Sequence, residues 1–433
     1  MKQKNKINFK KSNLFFKKVS HLIPLAAQTF SKSYLQFIKN QAPLFITHSK
    51  GSHAWDIDGN KYIDFINGLT AVTLGHQYPA IDQAIKNQLK KGISLSLSSP
   101  LEYELAILLK KHIPCAEMVR FGKNGSDVTT GAIRLARAIT GRDHVAVCGY
   151  HGWHDWYIGS TTRHLGVPTS TRRLTHSFIY NDLKSLEKLF HKYPQKIAAV
   201  IMEPVSYMEP KNKFLEKVKK LTHQNEALLI FDEVVTGFKI HIGGAQKYYN
   251  VIPDLATFGK SMANGMPISA LVGKKKYMKR IEDIFYSFTF GGECLSIAAA
   301  IATIKEMEKK DTINIIWQKG LYLNNKITPL IKQNNLEDII SIKGVPPWQV
   351  IFFNSSQGYT DLEIKSYLQQ ELLQQSILWY GQHNLSFSHT KQDLDTLIKA
   401  YSDILPRLKQ LLTIKQLHQN LHGKPITNIF KVR

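Results

Sequence analysis

From about residue 76 to 310 the chain alternates short apolar runs with longer segments whose apolar positions recur every three or four residues. These are the spacings of buried strands and of the helices that pack on them. The clearest strand-like runs are Val145–Cys148, Ile197–Met202, Ala227–Phe231 and Ala270–Val272. Asn124-Gly125-Ser126-Asp127 opens a helical pattern that places Val128, Ala132, Leu135, Ala136 and Ile139 on one face before Gly141 stops it. The alternation predicts an α/β fold, a mainly parallel sheet with helices on both faces. Ahead of it, Trp55-Asp56-Ile57 and Tyr62-Ile63-Asp64-Phe65 flank Asp58-Gly59, a hairpin signal. Behind it, a helical run ending near Lys310 gives way from Gly320 to helices with one β-like segment, Gln349–Phe353. The expected organisation is a basic tail over 1–20, an N-terminal segment of a small domain over 21–75, a large domain over 76–315 and a C-terminal small domain over 316–433.

Composition narrows the function classes. At 43% hydrophobic and 10% aromatic, the chain has globular rather than disordered composition. No apolar run has the length of a membrane span, so no membrane insertion is expected. Seven lysines and no acid fall in the first eighteen residues, and the following Leu22–Ala27 is too short and too broken by proline for a secretory core. Cys115, Cys148 and Cys294 are few and without metal-ligand spacing, which points to a reducing, cytoplasmic setting and to no metal. A net charge of +24 attracts polyanions. Lys outnumbers Arg 47 to 10 along the whole length, however, and no nucleic-acid-binding motif concentrates the charge. No specific nucleic acid partner is expected, while an anionic substrate suits the balance.

The candidate chemistry lies at the ends of the predicted strands. Asp232 closes the buried run Ala227–Phe231, and Lys260 follows the apolar stretch Leu255–Phe258. α/β proteins place ligands at the carboxyl ends of such strands. A carboxylate and an amine so placed are the groups pyridoxal phosphate needs, the amine for a Schiff base and the carboxylate to keep the pyridine nitrogen protonated. Gly125 and Ser126 at a helix start suit a phosphate, although Ser126 reads equally well as an ordinary N-cap. The loop after Val145–Cys148, running Gly149-Tyr150-His151-Gly152-Trp153-His154, carries rings that can stack on a flat cofactor. His151 and His154 have no acid partner identifiable by spacing and read as structural.

Taken together, Phe231-Asp232-Glu233-Val234-Val235-Thr236-Gly237-Phe238, Phe258-Gly259-Lys260, Asn124-Gly125-Ser126-Asp127-Val128-Thr129, Tyr150-His151-Gly152 and Ser287-Phe288-Thr289-Phe290-Gly291-Gly292 resemble the class III pyridoxal-phosphate aminotransferases of fold type I, and within them the glutamate-1-semialdehyde aminomutase-like branch. The resemblance runs from about Pro24 to the C-terminus. It implies a seven-stranded, mainly parallel sheet in the large domain and a smaller α+β domain built from both ends of the chain. It implies pyridoxal phosphate held by Lys260, Asp232 on the ring nitrogen, Val234 and Tyr150 on the two ring faces, Gly125 and Ser126 at the phosphate and Glu203 nearby. It further implies a homodimer with active sites at the interface and Thr289 supplied across it.

The family chemistry is amino-group transfer from an amine donor to a carbonyl acceptor. Lys260 moves the proton, through quinonoid and ketimine intermediates. The aminomutase branch grips its substrate carboxylate with an N-terminal arginine, yet no arginine precedes Arg120 here. Gln28, Thr29, Ser31 and Lys32 occupy the corresponding stretch and better suit a hydroxylated or phosphorylated carbonyl compound. Trp153, Lys32 and Glu293 are the candidate substrate contacts, with Trp156 adding bulk near the cofactor. A transaminase acting on a small, sugar-like carbonyl compound of surface-polysaccharide pathways is the first expectation. A 2,1-aminomutase or racemase on the same fold, and a non-catalytic polyanion-binding protein, are the alternatives.

Overall fold

A computed structural model describes residues 7–427. The chain divides into two compact units, one of residues up to Leu69, 74–78 and from Asn314 onward, the other of 70–73 and 79–313.

The larger unit is built on seven strands: β1 (Met118–Gly122), β2 (His144–Cys148), β3 (Thr175–Ser177), β4 (Ile197–Met202), β5 (Leu228–Glu233), β6 (Leu255–Phe258) and β7 (Ser269–Gly273), in spatial order β1-β7-β6-β5-β4-β2-β3. Only β7 runs antiparallel to its neighbours. The fold is thus the α/β, fold type I arrangement expected. Every residue of β4, β5, β6 and β7 is buried, which is why these strands are continuous apolar runs and not alternating ones. One side of the sheet carries helix α1 (Gly125–Thr140), whose Val128, Ala132, Leu135 and Ala136 join Val145, Val147, Ile201 and Ile230 in one core. Gly141 ends α1 in the left-handed conformation, φ 66°. Helix α2 (Cys294–Lys309) is buried along much of its length by small residues, Ala298, Ala299 and Ala300 among them.

The smaller unit has a four-stranded sheet of Ile46–Lys50, His53–Asp56, Lys61–Asp64 and Ile377–Leu378, with the expected hairpin at Asp58-Gly59. A three-stranded antiparallel sheet of Ile340–Val345, Trp348–Phe353 and Gln382–Asn384 accompanies it. Its core gathers Leu323, Leu368, Trp379, Leu397 and Tyr401 from helices and strands of the C-terminal half, with Ile63 and Phe65 from the N-terminal hairpin. The basic tail is helical over Lys10–Val19. Its opening N–H groups are held by the hairpin turn, Lys11 N donating to Asp58 Oδ1 at 2.7 Å and Ser12 N to Oδ2 at 2.8 Å. Positive charge alone therefore misdescribes this segment: Phe9 and Ser12 are buried and seat the helix. Residues 1–6 of the tail lie outside the described residues.

Candidate active site

The site is assembled at the carboxyl ends of β2, β4, β5 and β6. Strand alternation sends the adjacent carboxylates of Asp232 and Glu233 to different tasks. Glu233 is fully buried and accepts from Gln246 N at 3.0 Å, Gln246 Nε2 at 3.1 Å, Thr236 Oγ1 at 2.8 Å and Ala245 N, which anchors the short helix Gly244–Tyr248. Asp232, 4% exposed, is gripped on both oxygens. Its Oδ2 lies 2.8 Å from His151 Nδ1, while Oδ1 accepts from Thr257 Oγ1 at 3.1 Å and Val234 N at 3.2 Å.

His151 thus does have an acid partner, 81 residues away, which spacing along the chain could not reveal. Because the carboxylate oxygen accepts, Nδ1 must carry a proton. Nε2 is buried and has no hydrogen-bond partner among the described residues. The imidazole is fixed further by Tyr157, edge-on at 5.2 Å, and by Thr129 Oγ1, which donates to the His151 carbonyl at 2.9 Å. His154 is structural as expected, its Nδ1 lying 2.7 Å from Thr130 Oγ1. Trp156 lies in the core under α1, its Nε1 donating to Thr130 Oγ1 at 2.8 Å and its ring stacked on that of His151 at 6.4 Å, so its bulk backs the residue that holds Asp232.

Lys260 follows β6 after Gly259 and opens a short 3₁₀ turn with its backbone in the positive-φ region, 36°. Such a conformation persists only where neighbours hold it. The next residue supplies the clamp: Ser261 Oγ donates to the Thr70 carbonyl at 2.8 Å and accepts from Thr73 Oγ1 at 2.8 Å. Burial pushes the Lys260 amine below its ordinary pKa, opposed by the carboxylates of Glu203 and Asp232. Glu203, just past β4, is pushed up to about 7, first by burial and then by the Asp232 charge. Its Oε2 accepts from Tyr150 N at 3.2 Å. This contact needs Gly149, where φ is 107° and a Cβ would sit 2.5 Å from Glu203 Oε2.

Val234 touches the start of α1, since a Cβ on Gly125 would lie 3.0 Å from Val234 Cγ1. The first N–H groups of α1 have no partner within the helix. Asn124 is the N-cap, not Ser126, and Asp127 Oδ2 reaches back to Lys123 N at 3.0 Å and Asn124 N at 2.7 Å. Ser126 is consequently spared capping. Its buried Oγ accepts from Trp153 N at 3.2 Å, which leaves its own proton to donate. Gly152, φ 103°, permits the approach, because a Cβ there would lie 2.3 Å from Ser126 Oγ.

The remaining candidates are spread out. Tyr150 is half exposed, meets Tyr157 edge-on at 5.6 Å, and has its phenol pKa raised by burial and by Asp232. Trp153 is 68% exposed. Glu293 is the N-cap of α2, accepting from Leu295 N, Ser296 N and Ser296 Oγ, and it pairs with Lys123 Nζ at 3.0 Å. Those four contacts occupy it in holding the helix. Thr289 is exposed between Phe288 and Phe290. Lys32 is exposed on a 3₁₀ turn of the smaller unit.

Residues 36–357 match the family model Aminotransferase class-III. The chain belongs to that family. It is 34% identical over 417 residues to the 3-aminobutyryl-CoA aminotransferase of Cloacimonas acidaminovorans, covering 94% of this chain and 99% of that one. It is likewise 34% identical over 425 residues to the glutamate-1-semialdehyde 2,1-aminomutase of Methanosphaera stadtmanae, covering 92% and 99%. Among solved structures, the FumI protein of Sphingopyxis sp. MTA144, in a pyridoxal-phosphate form, superposes with TM-score 0.86 at 26% identity over 95% of this chain and 99% of that one. The chain is accordingly an enzyme of the aminotransferase class, and its cofactor is pyridoxal phosphate. The residues present fit that group: a carboxylate held by three donors, a lysine amine depressed by burial, and a helix start where Gly125 and Ser126 leave room and donors.

Proposed function

We propose that this class III enzyme is a two-substrate transaminase in which Lys260 and Asp232 are the catalytic residues. The observation that carries the reading is the three-donor grip on Asp232, which fixes and aims a buried carboxylate. When bound, pyridoxal phosphate supplies a ring that withdraws electrons from the carbon bearing the amino group. Asp232 holds a proton on the ring nitrogen, and His151 fixes the carboxylate that does so. Lys260 would anchor the cofactor through its amine until substrate binds. The freed amine, with its pKa lowered, then takes the substrate carbon's proton and returns it at the adjacent position. Val234 and Tyr150 would pack against the cofactor ring on its two faces. Gly125 and Ser126 hold the phosphate at the start of α1, where the helix dipole adds to the free N–H groups. Glu203 sets the local charge beside Lys260.

The same reading includes a homodimer that supplies Thr289 across its interface. Support comes from the large apolar side chains that this part of the larger unit exposes, Phe285 at 83%, Phe290 at 58%, Leu97 at 86% and Tyr103 at 73%. The Ile93 carbonyl accepts from Cys294 N at 2.9 Å, so the two exposed stretches are neighbours.

For the substrate, we infer an amine donor and a small carbonyl acceptor without a bidentate carboxylate grip, of the sugar-like kind that Gln28, Thr29, Ser31 and Lys32 suit. The missing arginine before Arg120 favours this over an aminomutase. The 34% identity to an aminomutase over nearly the whole chain is the observation on the other side. Holo-protein mixed with single amines and then with single carbonyl compounds, followed by cofactor absorbance, decides between them. A transaminase gives two half-reactions, each needing its own substrate, and Lys260→Ala abolishes both. Sustained turnover of one substrate without a donor would make the chain a mutase or racemase.

A further inference from the structure

A cavity of about 450 Å³ opens in the larger unit beside β3, the last strand of the sheet, at residues the reaction does not use. Its wall carries Arg172 and Arg173 from the turn of helix Thr169–Arg172, and Lys192 from the last turn of helix Leu183–Lys192. No carboxylate lines it. Among the described residues none of these three cations has a carboxylate within salt-bridge distance, although the chain forms such pairs elsewhere. Arg172 Nε is buried without a hydrogen-bond partner. A buried donor left unmade is costly, and such groups commonly mark a missing ligand.

The rest of the wall is flat and uncharged. His176 stacks on Tyr193 with ring centres 4.1 Å apart, and its Nε2 meets His144 Nδ1 at 2.8 Å. Burial lowers the pKa of both histidines, helped at His144 by Lys196 and at His176, which falls to about 4, by His144 and Lys192. The pair therefore forms one neutral hydrogen bond at neutral pH. The positive charge of the cavity belongs to the two arginines and the lysine alone.

Three cations without a carboxylate partner, two of them with the fork geometry of arginine and the third, Lys192, over the Tyr193 ring at 5.3 Å, match a dianion better than a carboxylate. The volume is several times what a phosphoryl group fills and falls in the range of small-metabolite sites. We propose that this cavity is a second ligand site of the enzyme, which binds a phosphate monoester of nucleotide size with its phosphoryl group on Arg172, Arg173 and Lys192. It is independent of the cofactor site and of the identity of the amino acceptor.

Calorimetric titration of the holo-protein at low ionic strength with AMP, inorganic phosphate and acetate tests the assignment, with cofactor absorbance followed in parallel. AMP is expected to saturate at one site per chain without changing the cofactor spectrum, and phosphate to compete with it while acetate does not. R172Q/R173Q is expected to weaken AMP by about tenfold or more, the scale of losing charge-assisted bonds. Lys184→Gln, on an exposed position of helix Leu183–Lys192 outside the cavity, should leave binding within about twofold, since only the diffuse field changes. Absence of saturation, equal weakening by Lys184→Gln, competition by acetate, or binding that displaces the cofactor would each overturn the proposal. Lys192→Gln repeats the test on an exposed side chain should the double variant not fold, and unchanged AMP affinity there would be equally fatal.

Discussion

Glu203→Gln is expected to make the cofactor-free protein more stable at pH 8 and no more stable at pH 4. Burial raises the Glu203 pKa from 4.5 to about 7, so the native state prefers the carboxyl neutral. For a group whose folded pKa is raised, stability is fully present below the unfolded value and is lost as pH rises through the folded one. The wild-type protein therefore loses stability between about pH 4.5 and pH 7 on account of this residue and is flat above that window. At 1.36 kcal/mol per pKa unit the full loss is roughly 3 kcal/mol, an upper bound because part of the side chain reaches solvent. Glutamine keeps an oxygen for the Tyr150 N–H and carries no charge at any pH. With about 2–4 °C per kcal/mol for a unit of this size, the melting temperature of the variant should exceed wild type by several degrees at pH 8 and match it at pH 4. Paired thermal melts across that range cancel every titrating group the two proteins share. An equal difference at both pH values, or a variant less stable at pH 8, would refute the argument that burial of charge at Glu203 is what the fold resists.

Two further substitutions probe the site. His151→Phe removes the Nδ1–H that holds Asp232 and should lower kcat by about 10–100-fold, the scale of a charge-assisted bond of about 1.5–3 kcal/mol, while His151→Asn recovers part of it; steady-state kinetics with cofactor saturating would show kcat unchanged if His151 were only core filling. Gly152→Ala forces a Cβ against Ser126 Oγ at φ 103° and should release cofactor readily on dialysis, with the loop disturbed and the sheet intact; wild-type retention would mean that Ser126 is not held for the phosphate.

How far the chain could be read ahead depended on whether the controlling contact was local. The strands β4, β5 and β7 are apolar runs and were visible as such, as were α1 with its Gly141 stop and the Asp58-Gly59 hairpin. The edge strands β1 and β3 are short and carry polar residues, Arg120 and His176 among them, so periodicity passes over them. Asp232 and Lys260 stood out because residue type and strand-end position suffice to propose them. What surrounds them did not. Thr257 reaches Asp232 only because β5 and β6 pair Asp232 with Thr257, and His151 reaches it from another strand end. Ser126 and Asn124 are both good caps, and which one caps depends on where Asp127 folds back. Glu293 looked like a group near substrate for the same reason that it caps α2, a carboxylate directly after two glycines.

The segment that precedes Glu293 is fixed at both ends. Arg120 Nη2 donates to the Tyr286 carbonyl at 2.8 Å, Arg134 Nη1 to that of Phe285 at 2.7 Å, and Gly131 has no Cβ because the Tyr286 ring occupies that space. At the far end Glu293 is tied to Lys123 and to the first turn of α2. The handful of residues between, Phe288, Thr289 and Phe290 included, is a short span between two anchors, and its conformational freedom is largely removed within the single chain. A second subunit approaching this surface would meet a backbone already held, so association would forfeit little additional main-chain entropy. On the same grounds, loosening either anchor, by Lys123→Ala or Arg120→Ala, should weaken the self-association proposed above through the freedom of the backbone alone, which sedimentation of the variants against wild type would show.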